Sequence, residues 1–224
     1  MSALFAWPDA ARVGTAVARE KLFMQAGGGK AIRALYQEQV ERIEWAFKLF
    51  ERSVNLPPTE EVAEIQVFRL HLRGPTLDDR VLAHLDKALP RQTWFELIRH
   101  APDGLEIAAA AAYKRRSDTD PTHIVTLEHW RTPWTPTTAT RAALPPAVSL
   151  EGLYAALLRQ LWPHPARAGE TLRTHAERLS AATVQAKAVE RLRGAVRREP
   201  DFARQVEKNR TLRAAEAALR SLVD

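Results

Sequence analysis

The sequence contains no cysteine and no long run of apolar residues. Without cysteine there is no disulfide framework, no thiolate zinc site and no cysteine nucleophile. No stretch approaches the roughly 18 apolar residues of a membrane-spanning helix. The first residues also lack the basic segment followed by an apolar segment that marks a secretion signal. The sequence therefore predicts a cytoplasmic protein that does not span a membrane.

Charge is unevenly distributed along the 224 residues, whose formal net charge is +6. Residues 58–149 carry 11 Lys and Arg against 12 Asp and Glu, whereas residues 150–224 carry 14 against 9. The basic excess therefore lies largely in the C-terminal part of the chain. A basic surface favours an anionic partner such as DNA.

Apolar periodicity and turn residues predict the secondary structure of the first 130 residues. Apolar side chains at steps of three and four predict one amphipathic helix from Lys30 to Phe50. Thr76 has the spacing of a helix N-cap, and it precedes a short helix that Pro90 ends. Composition, alternation and an Asp-Gly turn predict four strands, over residues 62–72, 93–99, 105–113 and 123–130.

The C-terminal part has the pattern of two long helices. A seven-residue apolar repeat after Glu170 predicts a coiled-coil helix. Pro200 interrupts the pattern and suits the first turn of a second helix, so the two helices are expected to form an antiparallel hairpin.

The order of these elements predicts an α+β fold, with a small, mostly antiparallel sheet and helices on one face. An N-terminal helix precedes the sheet, and a C-terminal helical (coiled-coil) arm follows it. The predicted division is an N-terminal helical segment over 1–57, an α+β body over 58–166 and the arm over 167–224.

Several stretches of the chain carry a family resemblance. They are Glu38-Gln39-Val40-Glu41-Arg42-Ile43 and Glu64-Ile65-Gln66-Val67-Phe68 within residues 35–68, Asp86-Lys87-Ala88-Leu89-Pro90, Tyr113-Lys114-Arg115-Arg116, and Asp201-Phe202-Ala203-Arg204-Gln205-Val206-Glu207-Lys208-Asn209. In these stretches the chain resembles an uncharacterised bacterial family, domain of unknown function 4391, and it departs from the family pattern at Pro200. The resemblance implies a setting beside helicases and DNA methyltransferases in restriction-like, phage-defence gene clusters, and it implies no particular activity.

Four motifs that would indicate a reaction or a bound ligand are absent or incomplete in the sequence. Gly27-Gly28-Gly29-Lys30 lacks the glycine spacing and the following Ser or Thr of a phosphate loop, which favours a flexible lead-in to a helix. The seven histidines form no His-Glu-x-x-His pair, and no serine lies in a Gly-x-Ser-x-Gly turn. A nuclease site lacks its acid-x-lysine step, although the chain has Asp78, Asp79, Asp86, Asp103, Glu106 and Lys114. No catalytic residue, metal ligand or cofactor is therefore predicted.

Cations beside aromatic side chains are the candidate contacts with a nucleic acid or with a partner protein. Such groups contact phosphates, stack on bases or fill interface pockets, although a solvated strand end or helix face has the same composition. The candidates are Tyr113, Lys114, Arg115 and Arg116 at a strand end, Trp130, Arg131 and Trp134 in a proline-rich loop, and Arg197, Arg198, Phe202, Arg204, Lys208 and Asn209 in the arm.

The sequence thus favours a non-catalytic accessory subunit of a DNA-processing or phage-defence system. Its partner is expected to be another protein, such as a helicase or a DNA methyltransferase, or a second copy bound through the arm. Direct binding of nucleic acid through the strand end and the arm is the alternative. A divergent metal-dependent nuclease is a third, less favoured interpretation.

Overall fold

The computed structural model describes residues 3–120 and 122–224. The chain divides into two compact units, Met1–Leu161 and Trp162–Asp224. The first unit contains the sheet and five of the helices, and the second contains two long helices. The predicted α+β class is confirmed. The expected N-terminal segment 1–57 is not purely helical, because it supplies two strands to the sheet.

Within the described residues, seven strands form a single mixed sheet in the order β1-β2-β3-β4-β5-β6, with β7 paired to β5. Neighbouring strands are antiparallel except β3 and β4, which are parallel. Parallel neighbours require a crossover connection, and helix α4 (Asp79–Ala88) lies in the connection between these two strands. The strands are β1 (Arg12–Ala16), β2 (Val40–Leu49), β3 (Ile65–Leu72), β4 (Gln92–Ala101), β5 (Gly104–Arg116), β6 (Ile124–Arg131) and β7 (Thr135–Pro136).

Helices α1, α2 and α4 pack on one face of the sheet, where their apolar residues form one core cluster with inward residues of β2, β3, β4 and β5. A single 3-10 turn, Asp9–Ala11, precedes β1. The helices are α1 (Arg19–Ala26), α2 (Lys30–Gln39), α3 (Glu51–Val54), α4 (Asp79–Ala88) and α5 (Leu150–Arg159).

The helix expected from Lys30 to Phe50 is wrong in its second half, since α2 ends at Gln39 and β2 follows at once. Strand β2 shifts register against β3 between Val40 and Arg42, and again between Trp45 and Phe47. Each bulge inserts one residue, so inward side chains such as Val40 and Ile43 lie three apart. Two bulges therefore reproduce, in a strand, the spacing of a helix.

The predicted hairpin after Pro90 is confirmed, with Ala101 paired to Gly104 at its turn. The alanine run 108–112 lies in β5 and is fully buried. The cap of α4 is Asp78, whose side chain accepts from the Arg80 amide, and not Thr76 as expected. An acidic N-cap fits the positive end of the helix dipole.

The second unit is an antiparallel hairpin of α6 (Leu172–Arg197) and α7 (Phe202–Val223). The Gln185 side chain donates to the Ala215 carbonyl at 2.9 Å, and Arg193 pairs with Glu216 at 2.8 Å. Pro200 precedes the helix instead of lying in its first turn, because the N-cap of α7 is Asp201. The predicted helical arm is present, and its coiled-coil geometry stays a prediction.

Candidate interaction surfaces

Lys114 lies inside the first unit and is only 2% exposed. Its Nζ is 2.5 Å from Asp86 Oδ1, and it donates to the carbonyls of Leu89 and Arg91 and to Thr93 Oγ1 at 2.7 to 2.9 Å. The interpretation of Lys114 as an exposed phosphate contact is therefore corrected. Strand β5 continues to Arg116, and the alternation of a strand turns this lysine inward towards α4.

A bulge in β6 directs the His129 side chain to the Asp86 carboxylate, which Lys114 also contacts. The register of β5 against β6 shifts between Ala112 and Lys114, so that His129 lies opposite Ala112 and Thr126 opposite Lys114. His129 Nε2 is then 2.6 Å from Asp86 Oδ2. Bulges commonly re-aim side chains in this way. Asp86, Lys114 and His129, named here the buried triad, thus connect α4 to β5 and β6.

Burial dominates the electrostatics around the buried triad. It lowers the pKa of Lys114, although the nearby charge of Asp86 favours the protonated amine. Burial also raises the pKa of Tyr154 well above its ordinary value, and the Asp86 carboxylate adds to that effect. The Tyr154 hydroxyl donates to the Ala112 carbonyl at 2.5 Å. These polar groups are engaged with one another, so the arrangement holds elements together.

The rest of the basic strand end is only partly available to a partner. The Arg115 side chain is 16% exposed and lies 3.3 Å from Asp118. Arg116 is more open, at 43%, and approaches Glu60 at 3.5 Å. Tyr113 is half-buried. Of the four residues predicted there, Arg116 is therefore the cation most exposed to solvent.

The tryptophans around Arg131 pack with the body more than they project from it. Arg131 donates to the Leu77 carbonyl at 3.1 Å and pairs with Asp79 at 2.5 Å. Trp134 packs against the core cluster, and the Arg99 guanidinium lies 4.1 Å from its ring centre. Trp130 and Arg131 were expected in the proline-rich loop, but they lie in the edge strand β6, because that strand continues to Arg131. Trp130 is half-buried there. The packing of Trp134 against the core cluster favours the interpretation that the proline-rich loop covers the core.

The predicted residues of the arm are more exposed. Arg197, Arg198 and Arg204 are exposed, and within the described parts of the chain they form no ion pair. Phe202 is 77% exposed. Lys208 differs, because it pairs with Glu199 across the turn of the hairpin, and Asn209 is half-buried.

The structure places Phe202, one of the predicted contacts, on a line of exposed residues along α7. The exposed side chains of this line follow one another at intervals of four, four, three and seven residues. This is the spacing of residues on one face of a helix. The signal was present in the sequence, but interspersed acids elsewhere in the arm obscured it. We name this line the α7 stripe, and its members are Phe202, Val206, Arg210, Arg213 and Arg220.

A shallow groove of 370 Å³ lies between α2 and α4, with Ile32 and Leu35 in its lining. At its edge His84 connects two elements, because its Nδ1 lies 2.9 Å from the Tyr36 hydroxyl and its Nε2 lies 2.5 Å from the Gly27 carbonyl. The glycine run before α2 is therefore held to α4 by this histidine.

Several of the carboxylates considered for a nuclease are engaged in separate contacts. Asp78 binds Arg80, Glu106 binds Arg99, and Asp86 belongs to the buried triad. Across residues 3–120 and 122–224, no three His, Asp or Glu side chains are grouped as metal ligands. In the same residues, no helix combines the length and apolar character needed to cross a membrane.

Comparison with curated proteins and with solved structures found no significant match. The model of one family matches residues 5–219, which is nearly the whole chain and includes both structural units. The order of elements described above therefore falls within a single family pattern. The chain belongs to the family described as a domain of unknown function (DUF4391).

Proposed function

We propose that this protein is a non-catalytic accessory subunit that joins a larger bacterial DNA-processing enzyme through the start of α7. The observation that carries the proposal is the pair of exposed apolar side chains there. Phe202 is 77% exposed and Val206 is 54% exposed, one helical turn apart. The setting in restriction-like, phage-defence gene clusters comes from the family resemblance and is part of the proposal.

Burial of this pair would supply part of the driving force for a contact, because association also costs translational and rotational freedom. Fully burying a phenylalanine or valine side chain contributes about 1.5 to 3 kcal/mol each. Aromatic residues at the centre of an interface commonly dominate its affinity. Phe202 is therefore expected to contribute most, with Val206 completing the apolar patch.

Charge indicates what kind of protein surface receives the pair. Residues 162–224 carry 13 Lys and Arg against 8 Asp and Glu, and Arg198 and Arg204 lie close to Phe202 in the sequence. Two such arms would repel each other, whereas an acidic surface would attract the arm. The proposed partner therefore presents an apolar pocket bordered by Asp and Glu.

The distribution of polar groups in the first unit supports the same proposal. Lys114 and Asp86 pair in its interior, and Glu96 is likewise buried and pairs with Arg69. In this proposal the buried ion pairs stabilise the first unit, and the contact with the partner is made by the arm.

The test is reconstitution with the helicase or the DNA methyltransferase encoded in the same gene cluster, followed by light scattering. The full chain is expected to form a stable complex with one of them. Replacing Phe202→Ser and Val206→Ser together is expected to abolish the complex without changing the fold. The matched control is Met24→Ser with Val148→Ser, which removes two apolar residues that are 78% and 89% exposed in the first unit.

Three results would contradict the proposal. The first is a complex that the Phe202 and Val206 variant forms as well as the control does. The second is a larger species of the chain alone that only this variant loses, because the occupant would then be a second copy. The third is metal-dependent hydrolysis of DNA by the purified chain that one carboxylate substitution abolishes.

A further inference from the structure

The α7 stripe continues beyond its apolar pair as a line of arginines. Arg210, Arg213 and Arg220 follow Val206 at steps of four, three and seven, and all are exposed. At 1.5 Å per residue, the arginines extend over about 15 Å of the helix. Among the described residues none of the three forms an ion pair.

Nearby acids do not neutralise this line. Glu216, on the same helix, is turned towards α6 by its 2.8 Å pair with Arg193. Glu207 lies on a neighbouring line of the helix and forms no ion pair within residues 3–120 and 122–224. The three guanidinium groups are therefore not engaged in ion pairs among the described residues, although the exposed acids Glu207 and Asp224 lie within about one turn of Arg210 and Arg220.

The shape of the surface fits an extended anion. Ala214 and Ala217 are exposed beside the arginines, and their small side chains allow a large polymer to approach the helix closely. A helix of 22 residues is a stiff support, so the three charges keep a fixed spacing. Duplex DNA carries about one negative charge per 1.7 Å of its axis, also at fixed spacing.

We propose that Arg210, Arg213 and Arg220 bind the phosphate backbone of duplex DNA without reading its sequence. This activity goes beyond the proposed assembly contact, which uses Phe202 and Val206 on the same helix. Arginine side chains on phosphate fix the position of a protein on a duplex and carry no sequence information. The hairpin would thus hold the partner enzyme near its DNA.

The test measures binding of the full chain to a labelled 20-base-pair duplex between about 50 and 200 mM salt. Each phosphate contact contributes about 0.9 to the slope of log affinity against log salt. The triple variant Arg210→Gln, Arg213→Gln and Arg220→Gln is therefore expected to lower the slope by roughly 2 to 3 and the affinity by on the order of tenfold or more.

A matched control distinguishes the effect of where the arginines lie from the effect of total charge on DNA binding. Arg52→Gln, Arg73→Gln and Arg159→Gln remove the same charge from exposed arginines of the first unit, and this variant is expected to keep most of the slope. Circular dichroism of both variants checks that the helices remain. The Phe202 and Val206 variant is expected to bind the duplex normally, so failure of either proposal can be recognised separately.

Four results would overturn the inference. They are no binding at about 50 mM salt, equal loss in the two triple variants, tighter binding to a single strand of 20 thymidines than to the duplex, and equal competition by polyglutamate at matched charge. The last result would assign the stripe to an acidic protein surface instead.

Discussion

Lys114 and Glu96 are both buried, and each is held by opposite charge from neighbouring elements. Lys114 contacts Asp86 on α4. Glu96 lies on β4 and accepts from Arg69, Arg141 and the Trp7 indole at 2.5 to 2.9 Å. The sequence shows a basic run at 114–116, but the side chain that turns inward depends on strand parity and on a bulge in the next strand.

Lys114→Met is expected to destabilise the first unit. The substitution leaves the Asp86 carboxylate buried with His129 as its remaining partner, and breaking a buried ion pair costs about 3 to 5 kcal/mol. Urea unfolding measures the loss. Arg116→Met, two residues along the same strand and exposed, is the control and is expected to change stability by less than about 0.5 kcal/mol.

Adding Asp86→Leu to Lys114→Met tests whether the buried charge of Asp86 causes the loss of stability. The double variant no longer contains a buried carboxylate that lacks its lysine, so it is expected to regain at least about 1 kcal/mol over Lys114→Met. A double variant that is less stable than the single one by the full additive amount would show that packing, not charge pairing, holds these elements together.

Glu96→Gln is expected to lower stability at neutral pH by about 1 to 3 kcal/mol, because Arg69 and Arg141 lose the negative charge they share and one acceptor oxygen is replaced by an amide donor. Burial alone would raise the pKa of Glu96, but its ion pairs with Arg141 and Arg69 hold that pKa below the ordinary 4.5. The carboxylate therefore stabilises the fold above pH 4.5, and this contribution is lost as the pH falls through the lowered pKa.

Acid unfolding of the unmodified chain and of Glu96→Gln tests the direction of this pH dependence. The unfolding free energy of the unmodified chain is expected to fall more steeply below pH 4.5 than that of Glu96→Gln. Equal slopes would contradict the ion pairs assigned to Glu96.

Helix α2 and strand β2 show where periodicity fails as a guide to elements. Val40 and Ile43 continue the helical spacing of the preceding residues, yet they lie in a bulged strand. Their β-branched and aromatic neighbours were the signal that favours a strand. By contrast, the Asp-Gly turn after β4 and the cap of α5 at Ser149 were predictable, because each depends on local chemistry alone.

Arg178 is expected to hold both ends of the hairpin of the second unit. Its guanidinium binds Glu170 through two nitrogens and also donates to the carbonyls of Pro165 and Leu222. Arg178→Lys keeps the charge but lacks the planar fork. Hydrogen exchange should therefore quicken in the last turn of α7.

Arg173→Lys is the control for that substitution. Arg173 pairs with Glu177 on the same helix at 43% exposure, and such surface pairs contribute little. Unchanged exchange near Leu222 in Arg178→Lys would contradict the assigned contacts.

At the scale of the whole molecule, the excess of positive charge lies in the second unit, where residues 162–224 carry 13 Lys and Arg against 8 Asp and Glu. The sequence predicted this part as a basic helical arm, and Phe202 was among its candidate contacts. Composition could not show that most of the basic strand end is engaged within the first unit, since this follows from pairing between distant strands. The candidate interaction site is therefore on α7 and not at the basic end of β5.

The proposed contact of this protein with a partner is made through the start of α7. Hydrogen exchange of the full chain, with and without the helicase or DNA methyltransferase proposed as its partner, tests this contact most directly. The predicted result is slower exchange around Phe202 and Val206, with the ends of β5 and β6 unchanged. Slower exchange at Arg116 and Trp130, with α7 unaffected, would contradict the account.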